Sequence, residues 1–538
     1  MTDHDALYAA ILAHPADDTP RLVYADWLQE NDRAEEGEFI RVGCRVDALA
    51  PDHPDYSELL ARKEELQLRL KSHVPGPRLK LGGGLYTDDG PDWWQWTYRG
   101  FPRFLQFNGQ RHAGPKAIRD LTAALETAFT LIPSRWLVVR HVTVPQLALL
   151  LRQPVVEAID TLTIQLSGSE GVNEAARIVA QAPTLGNLRG LSLVLDIDEA
   201  GVAAVAQSPN LGNLQWLSLP GETINEDSVV ALGASSWFRN LRRLLLNGEL
   251  PDAAFQALCG LAPFPNLHTL EVNHNEFSLA SWQAFARSRA FPALTRLSAL
   301  RGHLDAERME AFVQARWFRP ASLDLSVSAV DREGANLLMS GLCVESLQRL
   351  ILRGNFLGPS GVARVAGNRK LTALRHLDLS HNTIGATGLR AIARNPALRG
   401  LIGLLLGGYV YHRGQLYPEH FQEFLMNLNL PKLRHLALDG RGIGPKAARA
   451  FSQAKFASLT RLDLTDCDLT DAAVAALLSA SAMQNLIELR LEDNALSSGV
   501  EPLTDRGNLP RLGLCSLGTN RIPAPLARRL RRRAGVEL

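Results

Sequence analysis

The sequence predicts an α/β solenoid, a right-handed coil of short parallel strands and outer helices, headed by a small all-α N-terminal domain. Three observations carry the prediction: a six-residue apolar frame that recurs at near-constant spacing, an amphipathic stretch after each copy, and a different texture before residue 75. The frame is LxxLxL. It runs as LRGLSL from Leu188, LQWLSL from Leu214, LRRLLL from Leu241, LHTLEV from Leu267, LTRLSA from Leu294, PASLDL from Pro320 and LQRLIL from Leu347. LRHLDL from Leu374, LIGLLL from Leu401, LRHLAL from Leu433, LTRLDL from Leu459, LIELRL from Leu486 and LGLCSL from Leu512 follow, thirteen copies in all. Successive starts lie 26 or 27 residues apart, apart from a step of 32 between Leu401 and Leu433. Weaker copies precede them as IDTLTI from Ile159, VRHVTV from Val139 and PRFLQF from Pro102. A fixed period of this size marks stacked coils, because one coil alone cannot bury its leucines.

Several copies extend to LxxLxLxxNxL. Asn275, Asn355, Asn382, Asn494 and Asn520 fill the ninth position, and Cys467 takes the same slot. The chain turns out of its strand there while still buried, and a polar side chain can satisfy backbone groups of neighbouring coils. This reading makes Cys467 structural rather than reactive. Stretches such as 305–318, 358–368, 385–395 and 470–483 then repeat apolar residues every three or four positions, with Asp, Thr or Gly-Pro at the start. This alternation of strand and full helix resembles the ribonuclease-inhibitor-like class of leucine-rich repeats over residues 139–538. The resemblance implies a horseshoe, with parallel strands on the concave face and helices on the convex one.

The head reads as four helices, over residues 2–13, 20–31, about 34–49 and about 56–72, with Thr19 or Asp18 as a cap and Pro20 in a first turn. The run LYAAILAHPADDTPRLVYADWLQEN with AEEGEFIRVGC resembles the bacterial repeat-companion domain. Pro15, Asp17, Asp18, Pro20, Arg21, Leu22, Tyr24, Ala25, Asp26, Trp27, Leu28, Glu38, Phe39, Ile40 and Arg41 carry the match, and RGFP at 99–102 resembles the lead into the repeats of such proteins. The resemblance implies a bacterial repeat protein and brings no established activity. The expected domains are 1–75 helical, 76–138 connector and atypical first repeat, and 139–538 solenoid with a C-terminal capping helix over 523–534.

Composition narrows the function. The 538 residues are 46% hydrophobic and 21% charged with a net charge of +1, which speaks against a chain built mainly to hold nucleic acid or an anionic membrane. Residues 1–75 hold 16 Asp/Glu against 8 Lys/Arg, so an acidic head (−8) precedes a mildly basic body (+9). Cys44, Cys259, Cys343, Cys467 and Cys515 are scattered with no CxxC spacing, which argues against a disulfide framework or a zinc site. The start MTDHDALYAA has early acids and no long apolar core, so a reducing cytoplasm is expected. His14, Asp17, Asp18, Arg21, Tyr24 and Asp26 cluster in sequence as catalytic or metal-binding groups would. They equally suit turns, caps and ion pairs, and no HExxH, GxSxG or Walker-type motif accompanies them.

The third and fifth positions of each frame should face solvent from the strands. These columns, with their flanks, nominate Arg243, Arg296, Asp324, Arg349, Arg353, His376, Asp378, His435, Asp439, Arg461, Asp463, Glu488 and Arg490 as a polar, mixed-charge platform. A uniformly basic stripe would suit nucleic acid, whereas a mixed one suits protein. The enlarged repeat adds Tyr409, Tyr411, Arg413 and Tyr417, residue types that anchor interfaces. The sequence therefore predicts a non-catalytic, monomeric, intracellular protein that binds a protein partner through its concave face, without cofactor or metal. Two alternatives stand beside it: chemistry in the helical head with the repeats selecting substrate, and nucleic-acid binding through Arg528, Arg529, Arg531, Arg532 and Arg533 of the last helix.

Overall fold

Leucines repeating at positions one, four and six of each frame are held against the next coil by strand pairing on one side and helix packing on the other. In the computed structural model Leu347, Leu350 and Leu352 are all fully buried, as are Leu374, Leu377 and Leu379. The structure describes residues 2–49, 53, 55–70, 85–87, 97–99, 101–102, 104–111, 115–408, 418–451, 454, 456–533 and 535–538. The chain divides into two compact units, one of residues 1–50 with 70–298 and one of residues 51–69 with 299–538. Each is an α/β solenoid.

In the first unit parallel strands follow one another as Leu105–Asn108, Trp136–Val142, Thr161–Leu166, Gly190–Val194, Trp216–Pro220, Arg243–Asn247, Thr269–Glu271 and Arg296–Ser298. Leu85–Thr87 lies antiparallel on the first of them and covers its open edge. Leu137 pairs with Leu162, so that coil's frame begins at Ser134 and not at Val139. The extra residues go into an irregularity between Val139 and Val142, which the sequence pattern mistook for the frame.

Three helices open this unit: α1 (Asp3–Ala13), α2 (Thr19–Glu30) and α3 (Ala34–Ala48). Ile11, Tyr24, Ala25, Leu28, Ile40 and Cys44 close around Phe101, so the apolar faces of all three helices meet the chain leading into the repeats. Tyr8 Oη donates to the Leu131 carbonyl at 2.9 Å and Arg135 Nη2 to that of Leu12 at 3.3 Å, which ties the helices to the first coils. The bundle thus covers apolar surface that a bare first coil would expose. At Gly37 a side chain has no room, since a Cβ there would stand 2.4 Å from the Ala25 carbonyl oxygen. Gly37→Ala is therefore expected to push α2 and α3 apart at a cost of about 2 kcal/mol. A urea midpoint unchanged from the native chain would show that the helices separate freely.

The second unit continues the pattern with parallel strands Ser322–Asp324, Arg349–Ile351, His376–Asp378, Gly403–Leu405, His435–Ala437, Arg461–Asp463, Glu488–Arg490, Leu514–Ser516 and Val536–Glu537. Helices such as Arg332–Gly341, Gly385–Arg394 and Asp471–Leu478 run behind them. The last helix, Ala524–Leu530, turns Leu526 and Leu530 inward and leads into the final strand.

The ninth-position slot works as its chemistry suggests. Asn355 Nδ2 donates to the carbonyls of Leu325 (2.8 Å) and Leu352 (2.9 Å), while its Oδ1 accepts from the amides of Ser328 and Val330, both at 3.0 Å. Asn275, Asn382, Asn494 and Asn520 each reach the sixth-position carbonyl of the preceding coil in the same way. Other residue types in the slot serve the same carbonyl: Ser328 that of Ala299 at 2.8 Å, Cys467 that of Leu438 at 3.3 Å. Arg441 stands there after the enlarged repeat and donates to Leu406 (2.5 Å), Gly407 (2.9 Å) and Asn382 (3.1 Å). Burial lowers the Cys467 thiol's acidity well below that of a free cysteine, so it stays a neutral donor.

Candidate partner-binding surface

On the strand face of the second unit the third positions form one row, since Arg349, His376, Gly403, His435, Arg461 and Glu488 are register partners in turn. Neighbours in such a row stand about 4.8 Å apart. The fifth positions include Asp324, Asp378 and Asp463, whose carboxylates accept from the amide two residues on: Ser326 (3.0 Å), Ser380 (2.8 Å) and Thr465 (3.0 Å). These aspartates clasp the turns out of their strands. The repeated DLS, DLS and DLT at 324–326, 378–380 and 463–465 carries that role in the sequence.

The row is not all free. A helix from far upstream, α4 (Tyr56–Arg69), belongs to this unit and lies along the leading ends of its later strands. Glu65, buried, accepts from Arg434 Nη1 at 2.8 Å, Thr460 Oγ1 at 3.0 Å and Arg62 Nη1 at 3.1 Å. Glu64 takes Arg461 Nη1 at 2.7 Å, and Glu58 lies 3.9 Å from Arg434. A Cβ added to Gly513 would stand 3.3 Å from the Leu68 carbonyl oxygen. From Arg434 to Gly513 is three strand steps, about 14 Å, and Glu58 to Leu68 rises about 15 Å, so α4 crosses the strands. Arg461 is engaged further, its Nε donating to Glu488 at 2.7 Å, and Arg490 Nε holds the other Glu488 oxygen at 2.7 Å. Flanking arginines hold the Glu488 carboxyl below its usual range despite its burial.

Two hollows remain. One, of about 250 Å³, is lined by Arg353, His381, Asp439, Asp463, Glu488 and Arg490 among others. The second, of about 210 Å³, lies between α4 and Arg349, His376, His435 and Arg461. Burial raises the Asp439 carboxyl above its ordinary value, helped by Asp463 nearby. Arg353 Nη2 lies 3.0 Å from His381 Nε2 and is otherwise exposed.

Both histidines of the row are held neutral. Burial, reinforced by Arg349, brings the His376 imidazole down to about 4, and burial, with Arg461 nearby, brings His435 down to about 3. An unfolded histidine protonates near pH ~6.5, so the folded state should lose stability as pH falls from about 6.5 toward 4. The double variant His376→Gln, His435→Gln should show a smaller drop in Tm between about pH 7 and pH 5 than the native chain. An equal drop in both would show that these rings titrate normally.

Of the other nominated residues, Arg243 pairs with Glu271 at 2.5 Å in the first unit, where Arg296 is half-buried on its strand. Tyr409, Tyr411, Arg413 and Tyr417 lie outside the described residues. The head cluster is occupied structurally. Asp17 accepts from the Thr19 amide (2.9 Å), Arg21 Nη1 donates to the Asp17 carbonyl (2.8 Å), Asp18 meets Arg99 (3.0 Å), Asp26 meets Arg41 (2.6 Å) and Tyr24 Oη lies 3.0 Å from His4 Nε2. Asp18 therefore precedes α2 as an ion-pair partner and not as a side-chain cap. In the last helix Arg529 pairs with Glu501 at 2.8 Å, and just beyond it Arg533 turns inward to the carbonyls of Leu503, Asp505, Asn508 and Leu509. Among the described residues no three His, Cys, Asp or Glu side chains gather as metal ligands would, and no helix is long and apolar enough to cross a membrane.

Residues 370–393 and 457–478 match the family profile described as leucine-rich repeat. The chain carries leucine-rich repeats. Both matched stretches begin just before a strand of the second unit, His376–Asp378 and Arg461–Asp463, and run through the helix behind it. Among solved structures, the leucine-rich-repeat chain is similar to one in the yeast Rad7 and Elc1 complex, at 16% identity, covering 66% of this chain and 85% of that one with a TM-score of 0.42. It is also similar to a Bacteroides fragilis protein, at 18% identity over 41% of this chain and 67% of that one, with a TM-score of 0.31. A search of curated proteins gives no match.

Proposed function

We propose that this protein is a non-catalytic interaction scaffold that binds a protein partner through the strand face of its second unit. The observation that carries the reading is the pair of adjoining polar hollows on that face, which share Leu405, His435 and Arg461 and are bordered by charges of both signs. Alternating charge of this kind fits a partner's mixed protein surface better than the uniform negative charge of a nucleic acid. Leucine-rich repeats supply the broad, rigid platform. The family resemblance of the head and the expected cytoplasmic setting belong to this reading.

The test is capture from a lysate of the native organism, with the retained proteins identified by mass spectrometry. The native chain is compared with Arg353→Glu, Arg490→Glu and, as a control away from the face, Arg528→Glu. A protein retained by the native chain and by the Arg528 variant, and weakened about tenfold by the two face variants, is the expected result. Equal retention by all would move binding off this face, and no specific retention by any would remove the reading.

A further inference from the structure

Beside α4 the strand face holds charges that the fold itself does not use. The two carboxylates on the wall of the smaller hollow are satisfied, Glu65 by Arg434, Thr460 and Arg62, and Glu64 by Arg461. Arg349 lines the same hollow and has no hydrogen-bond or ion-pair partner among the described residues. Next to it in the row, His376 has a buried Nε2 that likewise lacks a partner. The following residue is Gly403, where a Cβ would stand 2.6 Å from His376 Nδ1, so the ring packs over a position with no side chain. A cation and a ring with an unfilled nitrogen, on strands about 4.8 Å apart, thus line one space of about 210 Å³.

We propose that this hollow receives a carboxylate group, presented by an acidic side chain of the protein partner. This rests on the interaction reading above and names the chemistry of its central contact. Arg349 supplies a planar fork for the two oxygens, and the neutral His376 ring, protonated at Nε2, donates to one of them. One uncompensated positive charge matches a monoanion, whereas the second charge of a phosphate would stand against Glu64 and Glu65. The hollow is several times the roughly 30 Å³ share of a water molecule, enough for a carboxylate on a short stem. It adjoins the larger hollow bordered by Asp463 and Arg490, so a chain that inserts the acid lays its flanking residues there.

The experiment is a titration of the full chain, following the His376 ring signals by NMR after assigning them through their loss in His376→Gln. The probes are a short N-acetylated, C-amidated peptide with one central glutamate, its glutamine counterpart, and sodium acetate. The glutamate peptide should shift the ring signals saturably, the glutamine peptide should not, and acetate should bind more weakly. Arg349→Gln should weaken the glutamate peptide roughly 10- to 100-fold, and Arg528→Gln, away from the face, should leave it unchanged. Equal shifts by both peptides, or indifference to Arg349→Gln, would overturn the carboxylate site. Acetate binding as tightly as the peptide would overturn its assignment to a partner's side chain. Protein capture that Arg349→Gln leaves undiminished would overturn the site while the interaction reading stands. A glutamate-specific shift with no protein captured would uphold the site and remove that reading.

Discussion

Replacing Glu65 with alanine is expected to free α4 from the second unit's repeats, at a cost of about 3 kcal/mol. The carboxylate is buried and meets two guanidiniums and a hydroxyl, so its removal takes the 2.8 Å acceptor from Arg434 and leaves the Thr460 hydroxyl only the Arg434 carbonyl at 3.2 Å. Amide exchange at Leu66 and Leu68 should quicken about 100-fold, because that cost converts to the local opening equilibrium. Glu58→Ala should do far less, within about 1 kcal/mol, since Glu58 is well exposed and 3.9 Å from Arg434. Unaltered exchange in the Glu65 variant would mean that α4 is held by its leucines alone.

The second large effect is at Asn355. Alanine there deprives the Ser328 and Val330 amides and the Leu325 carbonyl of their partner in the buried centre of the coil, while the Leu352 carbonyl keeps Asn382, and we expect a loss of about 3 kcal/mol. The urea midpoint of the second unit should fall accordingly. Cys467→Ala offers the contrast. That thiol gives one long bond to the Leu438 carbonyl and a weak one to Thr465, so the expected cost is within about 1.5 kcal/mol. Equal losses at the two positions would show that the slot is stabilised by packing and not by hydrogen bonding.

How much of this was legible in the sequence depended on periodicity. The leucines and slot asparagines repeat every 26 or 27 residues, so each copy corroborates the rest, and their structural places follow the pattern. Arg441 occupies the same slot without resembling its occupants, because a longer side chain reaches the same carbonyl by a different geometry. The DLS and DLT clasps were legible but read as solvent-facing charge, since a fifth-position aspartate suits both roles. The frame taken from Val139 failed for a local reason: an irregular strand offers alternating apolar residues in two registers. The destination of α4 left no such trace. Glu64 and Glu65 find their arginines 397 and 369 residues away, and surface-type charges carry no period that would announce a partner. Arg461 and Glu488 were therefore nominated for an outside partner when the chain already employs them.

That long reach sets a timetable for biosynthesis. At about 5–20 residues per second of translation, the residues that α4 must meet leave the ribosome roughly 20–80 s after it. During this interval a helix carrying Glu58, Glu64 and Glu65 is made and the later arginines they pair with are not, so α4 docks only once the later repeats exist. Its arrival is then a late step of maturation. A fragment begun at the first clear repeat would lack it, leaving Arg434 without Glu65 and Arg461 with Glu488 alone, and so exposing a cationic edge that α4 covers in the complete chain.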